Sequence, residues 1–404
     1  MKKMELLAPA GDLEKLKTAV IYGADAIYFG GEAFSLRAGA DNFSLEDMRE
    51  GINFAHERGV RCFMTLNIFP HNEDIVPLQE YLLKIRNLGI DAFIVSDPGM
   101  FDLIKGVMAN AEIHISTQAN TTSYASAKFW AALGVKRFVL ARELTLKEIR
   151  GIRDNLPEDV ELEAFCHGAM CISYSGRCLL SNFMNGRDSN KGMCSHPCRW
   201  KYALVEEKRP GEYYPIEEDD RGTYIMNSGD LCMIEHIADL AEAGVYSLKI
   251  EGRMKSIFYV ATTVAAYRKA IDDYYAGKPF DETLLEEVGK VSHRKFTTGF
   301  FYRQPGAADQ DYLTSDYLRE YSFVGKVLAY DEATGMATVE QRNKMSLGDE
   351  VEIFGPGAPF FAQKIEDMRD EAGEPIESAP HAQQIVRIKM DQPVGENYII
   401  RKRK

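Results

Sequence analysis

The sequence predicts an α/β chain: a TIM-like (β/α)8 barrel with a long cysteine-rich insertion after its seventh strand, followed by a small C-terminal all-β barrel domain. Three observations carry this. Short apolar runs alternate with helical patterns through roughly the first 300 residues, the length of such a barrel. A weak repeat opens several of those runs with glycine. After residue 320 the texture changes to short alternating strands with turn signals. The expected boundaries are 1–320 for the barrel, with the insertion at 166–229, and 321–404 for the β domain. An open doubly wound sheet is the competing architecture, but no Gly-x-Gly-x-x-Gly follows the first strand.

The repeat begins at Gly23, Gly89, Gly134 and Gly244, each followed by a short apolar run. Glycine after a helix supplies the left-handed conformation that closes it. An apolar run without alternation suits a parallel strand buried on both faces. Filling the gaps gives eight predicted strands: 5–8, 26–29, 61–67, 92–95, 112–116, 138–140, 161–166 and 247–250. Between the first two, Leu13, Leu16 and Val20 recur at helical spacing. Ser44 with Asp47, and Thr145 with Glu148, read as capping boxes. The spacing breaks once. About 80 residues separate strands seven and eight, and long connections in compact domains are usually functional. In the β domain, strands are expected within 321–330, 335–340, 348–354 and 384–390. The final Arg401-Lys402-Arg403-Lys404 reads as a solvated basic terminus.

Composition narrows the function. Apolar residues make up 45% and charged residues 27%, ordinary values for a soluble protein. No apolar run reaches the roughly 18 residues of a membrane span, and the N-terminal apolar stretch is too broken for a signal peptide. A cytoplasmic location without a membrane partner is expected. The 48 Lys and Arg against 61 Asp and Glu give a net charge of −13, so any RNA contact requires a local basic patch. One exists. Between Cys166 and Pro210 seven cations face three acids, interleaved with Tyr174, Trp200 and Tyr202. Cations beside aromatic rings suit phosphate contact and base stacking, and Arg177, Arg199, Trp200 and Lys201 are the candidate RNA contacts.

Five of the seven cysteines, Cys166, Cys171, Cys178, Cys194 and Cys198, fall in the same region. Thiols this dense in an intracellular chain point to metal ligation rather than disulfides. Thiolates select zinc or iron–sulfur. Zinc ribbons favour two close pairs, and only Cys194 and Cys198 make one, which tilts the reading toward a [4Fe–4S] cluster with zinc as the other occupant. In a barrel the loops after the strands build the active site. The residues there are Asn67, Asp97, Gln118, Arg142, Glu143, His167, Glu251 and Arg253, of which Arg142, Glu143, His167, Glu251 and Arg253 are the catalytic candidates. Arginine at such a rim binds carboxylate or phosphate bidentately. His114, inside the fifth strand, reads as a core histidine. There is no His-Glu-x-x-His, Gly-x-Ser-x-Gly or P-loop.

The run from Glu163 to Ser181, with Cys166-His167-Gly168-Ala169-Met170-Cys171 and Gly176-Arg177-Cys178, closely resembles the pattern of the collagenase-like peptidase family U32. The segments Glu5 to Gly11, Gly192 to Trp200 and Ser247 to Arg253 resemble it too, and the resemblance spans nearly the whole chain. Within the family the chain is most similar to members acting in prephenate-dependent tRNA uridine 5-hydroxylation. The resemblance implies a TIM-like barrel, a [4Fe–4S] cluster on four cysteines, tRNA as partner and prephenate as co-substrate. Carried over residue by residue, the ligands are Cys171, Cys178, Cys194 and Cys198, with Cys232 as the alternative fourth. Arg142 and Arg253 are then expected to clamp the carboxylates of the co-substrate. Two other functions compete: a peptidase, for which no nucleophile motif is present, and a non-catalytic RNA-binding subunit acting with a homologous partner.

Overall fold

The protein is described from a computed structural model that covers residues 2–35, 43–171, 173–175, 177–199, 203–204, 214–215, 229–303 and 318–404. Trp200, Lys201 and the side chain of Arg199 lie outside the described residues. Eight parallel strands close a barrel: β1 (Glu5–Pro9), β2 (Ala26–Phe29), β3 (Arg61–Leu66), β4 (Ala92–Val95), β5 (Ile113–Ile115), β6 (Arg137–Val139), β7 (Glu161–Ala169) and β8 (Ser247–Ile250). Each pairs with the next, and β8 also pairs with β1, which completes the cylinder. The apolar runs of β1, β2, β4 and β8 are buried at every position, as strands covered on both faces must be.

The predicted helix starts hold. Both capping boxes form: Ser44 and Asp47 open the helix Leu45–His56, and Thr145 and Glu148 open Leu146–Arg153. Each cap satisfies first-turn donors and stabilises by about 1 kcal/mol.

One strand end differs from expectation. β7 runs three residues past Cys166 because a short strand from the far end of the insertion, Asp230–Cys232, pairs with it antiparallel, Cys232 opposite His167. Cys166 and His167 are therefore barrel residues.

The lower interior of the barrel holds charge rather than hydrocarbon. Arg137, fully buried, donates to Glu5, Glu161 and Glu163. Lys249 donates to the other oxygen of Glu163 at 2.9 Å. Burial pushes the Glu163 carboxyl up, but Lys249 and Arg137 together hold it below the ordinary value. His114 is fully buried against Glu112 at 2.8 Å, a core histidine kept neutral by burial.

The C-terminal residues form a seven-stranded antiparallel half-barrel with its own core, including Val327, Val339, Ile353 and Ile388. Its last strand, Ile399–Arg403, corrects the reading of a solvated basic end. Arg401 is fully buried and bonds Glu287 of the barrel and Glu352 of the half-barrel, while Lys402 bonds Asp349. Phe354 and Ile399 pack into the barrel's hydrophobic cluster, so the two units share an apolar contact as well.

Candidate active site at the barrel mouth

The carboxyl ends of the strands open into a cavity of about 60 Å³. A water needs about 10–15 Å³ on this measure, so the inner space takes a carboxylate-sized group rather than a whole nucleoside. Five of the eight rim residues expected from sequence line it: Asn67, Gln118, Arg142, Glu251 and Arg253. Tyr28, Thr65, Ser116, Thr117, Phe165, Ser175 and Lys249 join them.

Three cations face this space, each set by different neighbours. Arg253 is 3% exposed and its Nη1 donates to Ser35 Oγ at 2.8 Å and Thr65 Oγ1 at 3.2 Å. Its guanidinium presses on the backbone of Gly30, where an added Cβ would lie 2.3 Å from Nη2. Arg142 donates to Ala169 O at 2.9 Å and to Ser175 Oγ at 2.8 Å, both neutral oxygens, over the ring of Phe165. Lys249 stands between the Tyr28 ring and Glu163 below. Gln118 Oε1 is buried with no hydrogen-bond partner among the described residues.

Three rim candidates fall elsewhere. Asp97 caps the helix Pro98–Val107 through Met100 N. Glu143 does not line the cavity; burial raises its pKa against the pull of Arg142, and its Oε2 has no partner among the described residues. His167 is 1% exposed and turned away from the mouth. The extension of β7 and a register shift opposite Lys249 and Ile250 place its ring among Tyr259, Tyr267 and Phe296. Burial there lowers its pKa to about 3.

The insertion returns over the mouth. Ser175 lines the cavity, Asn120 Nδ2 donates to Ser175 O at 3.2 Å, and Lys191 meets Glu73 and Asp74 at 3.5 Å. Three of its cysteines gather round the short helix Leu180–Asn185. Cys178 precedes that helix, and Cys198 lies in the turn Pro197–Arg199 packed against it. Ser195, next to Cys194, bonds Ser181 on the helix at 3.0 Å. All four cysteines, Cys171, Cys178, Cys194 and Cys198, are half-buried. Two accept backbone N–H bonds, Cys178 from Leu180 and Cys194 from His196, each at 3.4 Å. Such bonds stabilise thiolate and tune iron–sulfur centres.

Among the described residues no three of these sulfurs lie within 4.8 Å of one another. A zinc ion with bonds of about 2.3 Å requires thiolates about 3.8 Å apart. As placed, the thiols are more open than a tetrahedral zinc site requires. Cys232 stands on the strand Asp230–Cys232 that pairs with β7. Its thiol is buried beneath the strand pair beside Tyr267, and burial raises its pKa to about 11. The one tight group of metal-type donors among the described residues is His56, Cys62 and Asp91 at the opposite end of the barrel. There Asp91 already accepts from Cys62 N at 2.7 Å and faces His56 Nε2 at 2.8 Å, a structural arrangement.

Sequence reasoning missed Lys249 and Glu163. The available signal was charge inside buried strands: Lys249 in β8, and Glu161 and Glu163 in β7.

Comparison with known proteins gives a match to the model described as peptidase family U32 over residues 11–311, and to that of its C-terminal domain over residues 319–401. The chain is 45% identical to "tRNA hydroxylation protein P1" of Bacillus subtilis, covering 100% of this chain and 96% of that one. It is 40% identical to "tRNA hydroxylation protein P" of Escherichia coli over 99% of this chain and 96% of the other. "Collagenase" of Porphyromonas gingivalis is 32% identical over 94% and 93%.

Proposed function

Because the chain belongs to peptidase family U32, we propose that it is an RNA-hydroxylating enzyme acting on tRNA, installing a hydroxyl at C5 of wobble uridine with prephenate as co-substrate. The names of the relatives aligned along nearly the full chain support the RNA part of this reading. The single structural observation that supports the acid co-substrate is the convergence of Arg142, Lys249 and Arg253 on one small cavity.

Prephenate is a dicarboxylate. Arg253, immobilised by Ser35 and Thr65, and Arg142, immobilised by Ala169 O and Ser175, present fixed guanidinium groups to such an acid. Lys249 adds a compact charge between them and the barrel floor. Pre-set donors in a site this enclosed need little reorganisation when an anion enters. Gln118 offers a neutral acceptor for a substrate hydroxyl. Cys171, Cys178, Cys194 and Cys198 would hold a [4Fe–4S] cluster, which would supply one-electron redox chemistry.

The test is mass spectrometry of tRNA nucleosides from a deletion strain lacking any paralogue. Nucleosides derived from 5-hydroxyuridine should disappear, return with the wild-type gene and stay absent with Arg253→Ala. Unchanged levels in the deletion strain refute the proposal.

The collagenase relative favours a peptidase as the second reading. Against it, no histidine lines the cavity among the described residues, and Cys166 is a fully buried thiol whose pKa burial raises. Gelatin cleavage by the purified chain would support it. A purely RNA-binding role would show as activity only after adding a homologous subunit.

A further inference from the structure

No acidic residue falls between Glu163 and Asp188, a stretch that contains Arg177 and Arg187. The described chain there is turned outward. Arg177, Leu179 and every residue from Asn182 to Arg187 are exposed, and Phe183 reaches 84% exposure on its short helix. A phenyl ring held in water in this way contributes little to packing.

Beside this ridge, at the lip of the mouth, lies a separate groove of about 620 Å³, lined by Asn120, Thr122, Ser173, Tyr174 and Arg177. Tyr174 is 47% exposed. Arg177 is fixed in place: its Nε donates to Asn120 Oδ1 at 2.8 Å, and its guanidinium sits 5.2 Å from the Phe69 ring centre. Its two terminal nitrogens make no hydrogen bond among the described residues, so the bidentate edge of the group faces outward. Ser175, between Tyr174 and Arg177 in the chain, lines the inner cavity, which places groove and cavity side by side.

We infer that this lip is the track of a single-stranded RNA segment, with one nucleoside in the groove against Tyr174, a phosphate on the outer edge of Arg177, and a neighbouring base stacked on Phe183. The inference rests on the RNA-hydroxylation reading and names the residues that would present the target. A guanidinium pinned at Nε with its fork open suits phosphate. Rings exposed beside cations suit bases already out of a helical stack. The absence of acids along the ridge favours a polyanion over a protein partner.

Binding of a labelled anticodon stem–loop RNA carrying a wobble uridine to the full chain, measured by fluorescence anisotropy, tests this. Phe183→Leu keeps apolar bulk but removes the ring and should weaken binding about fivefold or more, whereas Phe183→Tyr should stay within about twofold. Arg177→Gln should weaken binding and flatten the log–log salt dependence by about 0.7, one phosphate of single strand. A duplex lacking the loop should not respond to Phe183. If wild type binds the stem–loop and Phe183→Leu and Arg177→Gln bind it equally well, the track is overturned while the RNA reading survives. If wild type fails to bind, both fall. Unchanged RNA affinity with lost modification in cells would assign the patch to a protein partner and overturn the inference.

Discussion

Replacing Glu163 by glutamine should unbalance the charges sealed inside the barrel. Arg137 and Lys249 are there offset by Glu5 and Glu163, and Glu163 bonds both cations, Lys249 at 2.9 Å and Arg137 at 3.2 Å. All four side chains are nearly or fully buried. Removing one member of a buried ion pair costs about 3–5 kcal/mol because the surviving charge is left uncompensated. At about 2 °C per kcal/mol for a unit this large, the melting temperature should fall by about 6–10 °C. The informative variant is the double one, Glu163→Gln with Lys249→Met. It leaves Arg137 compensated by Glu5 and Glu161 with no unpaired buried cation beside it, so much of the loss should return, with a coupling energy of about 3 kcal/mol in a urea-denaturation cycle. Function should not return with it. Lys249 also lines the mouth cavity, so the double variant should fold well and still turn over the acid co-substrate poorly. Additive stability losses would show that the two side chains do not act as a pair. Full activity in the stable double variant would remove Lys249 from substrate binding.

Two further outcomes follow from the buried histidine and the thiols. Burial holds His167 at a pKa of about 3 against the ordinary value of 6.5, so the unfolded chain takes up a proton in that window that the folded chain refuses. Stability should therefore fall on acidification from pH 6.5 toward 3, by about 2 kcal/mol at pH 5 from this group; melting curves of His167→Gln between pH 7 and 5 should decline less steeply, and parallel curves would refute it. Alanine at Cys171, Cys178, Cys194 or Cys198 should deplete iron and sulfide after anaerobic purification, whereas Cys232→Ala should retain both and melt a few degrees lower through the lost packing; iron loss in Cys232→Ala would return it to the ligand set.

The barrel was legible because its strands are short and mostly apolar, four of them opened by glycine, and because Ser44 and Thr145 cap through neighbours three residues away. Those are local signals. The end of β7 was not legible, since it is set by Asp230–Cys232, more than sixty residues downstream. That extension turned His167 from a rim candidate into a buried one. Arg401 misled for a similar reason: four basic residues in a row read as solvated, yet the strand pairing Ile353 opposite Ile400 carries Arg401 in between the two units, beside Glu287 and Glu352. The rim arginines were legible from position alone. Lys249 was not, because the loop-centred view passes over charges within strands.

Arg253 ties together two of the segments that carry the family pattern, Glu5 to Gly11 and Ser247 to Arg253. Glu5 and Ser247 are paired across β1 and β8, so Gly11 and Arg253 emerge together. A Cβ at Gly11 would lie 2.1 Å from the Arg253 carbonyl oxygen, and one at Gly30 would lie 2.3 Å from its Nη2. Neither clash is with solvent or a loose side-chain end that could move at little cost; one is with backbone and the other with a guanidinium already bonded to Ser35 and Thr65. The two glycines thus make room for one arginine, and its placement is settled when the barrel closes, before any ligand arrives. Arg142 is held differently, through Ala169 O and the Ser175 hydroxyl. One half of the clamp is fixed by barrel closure; the other is shared between the end of β7, through Ala169 O, and the insertion that bears the thiols, through Ser175. Disordering that insertion should therefore remove one of the two bonds of Arg142 and leave Arg253 in place, coupling acid binding at the mouth to the state of the cysteine loop.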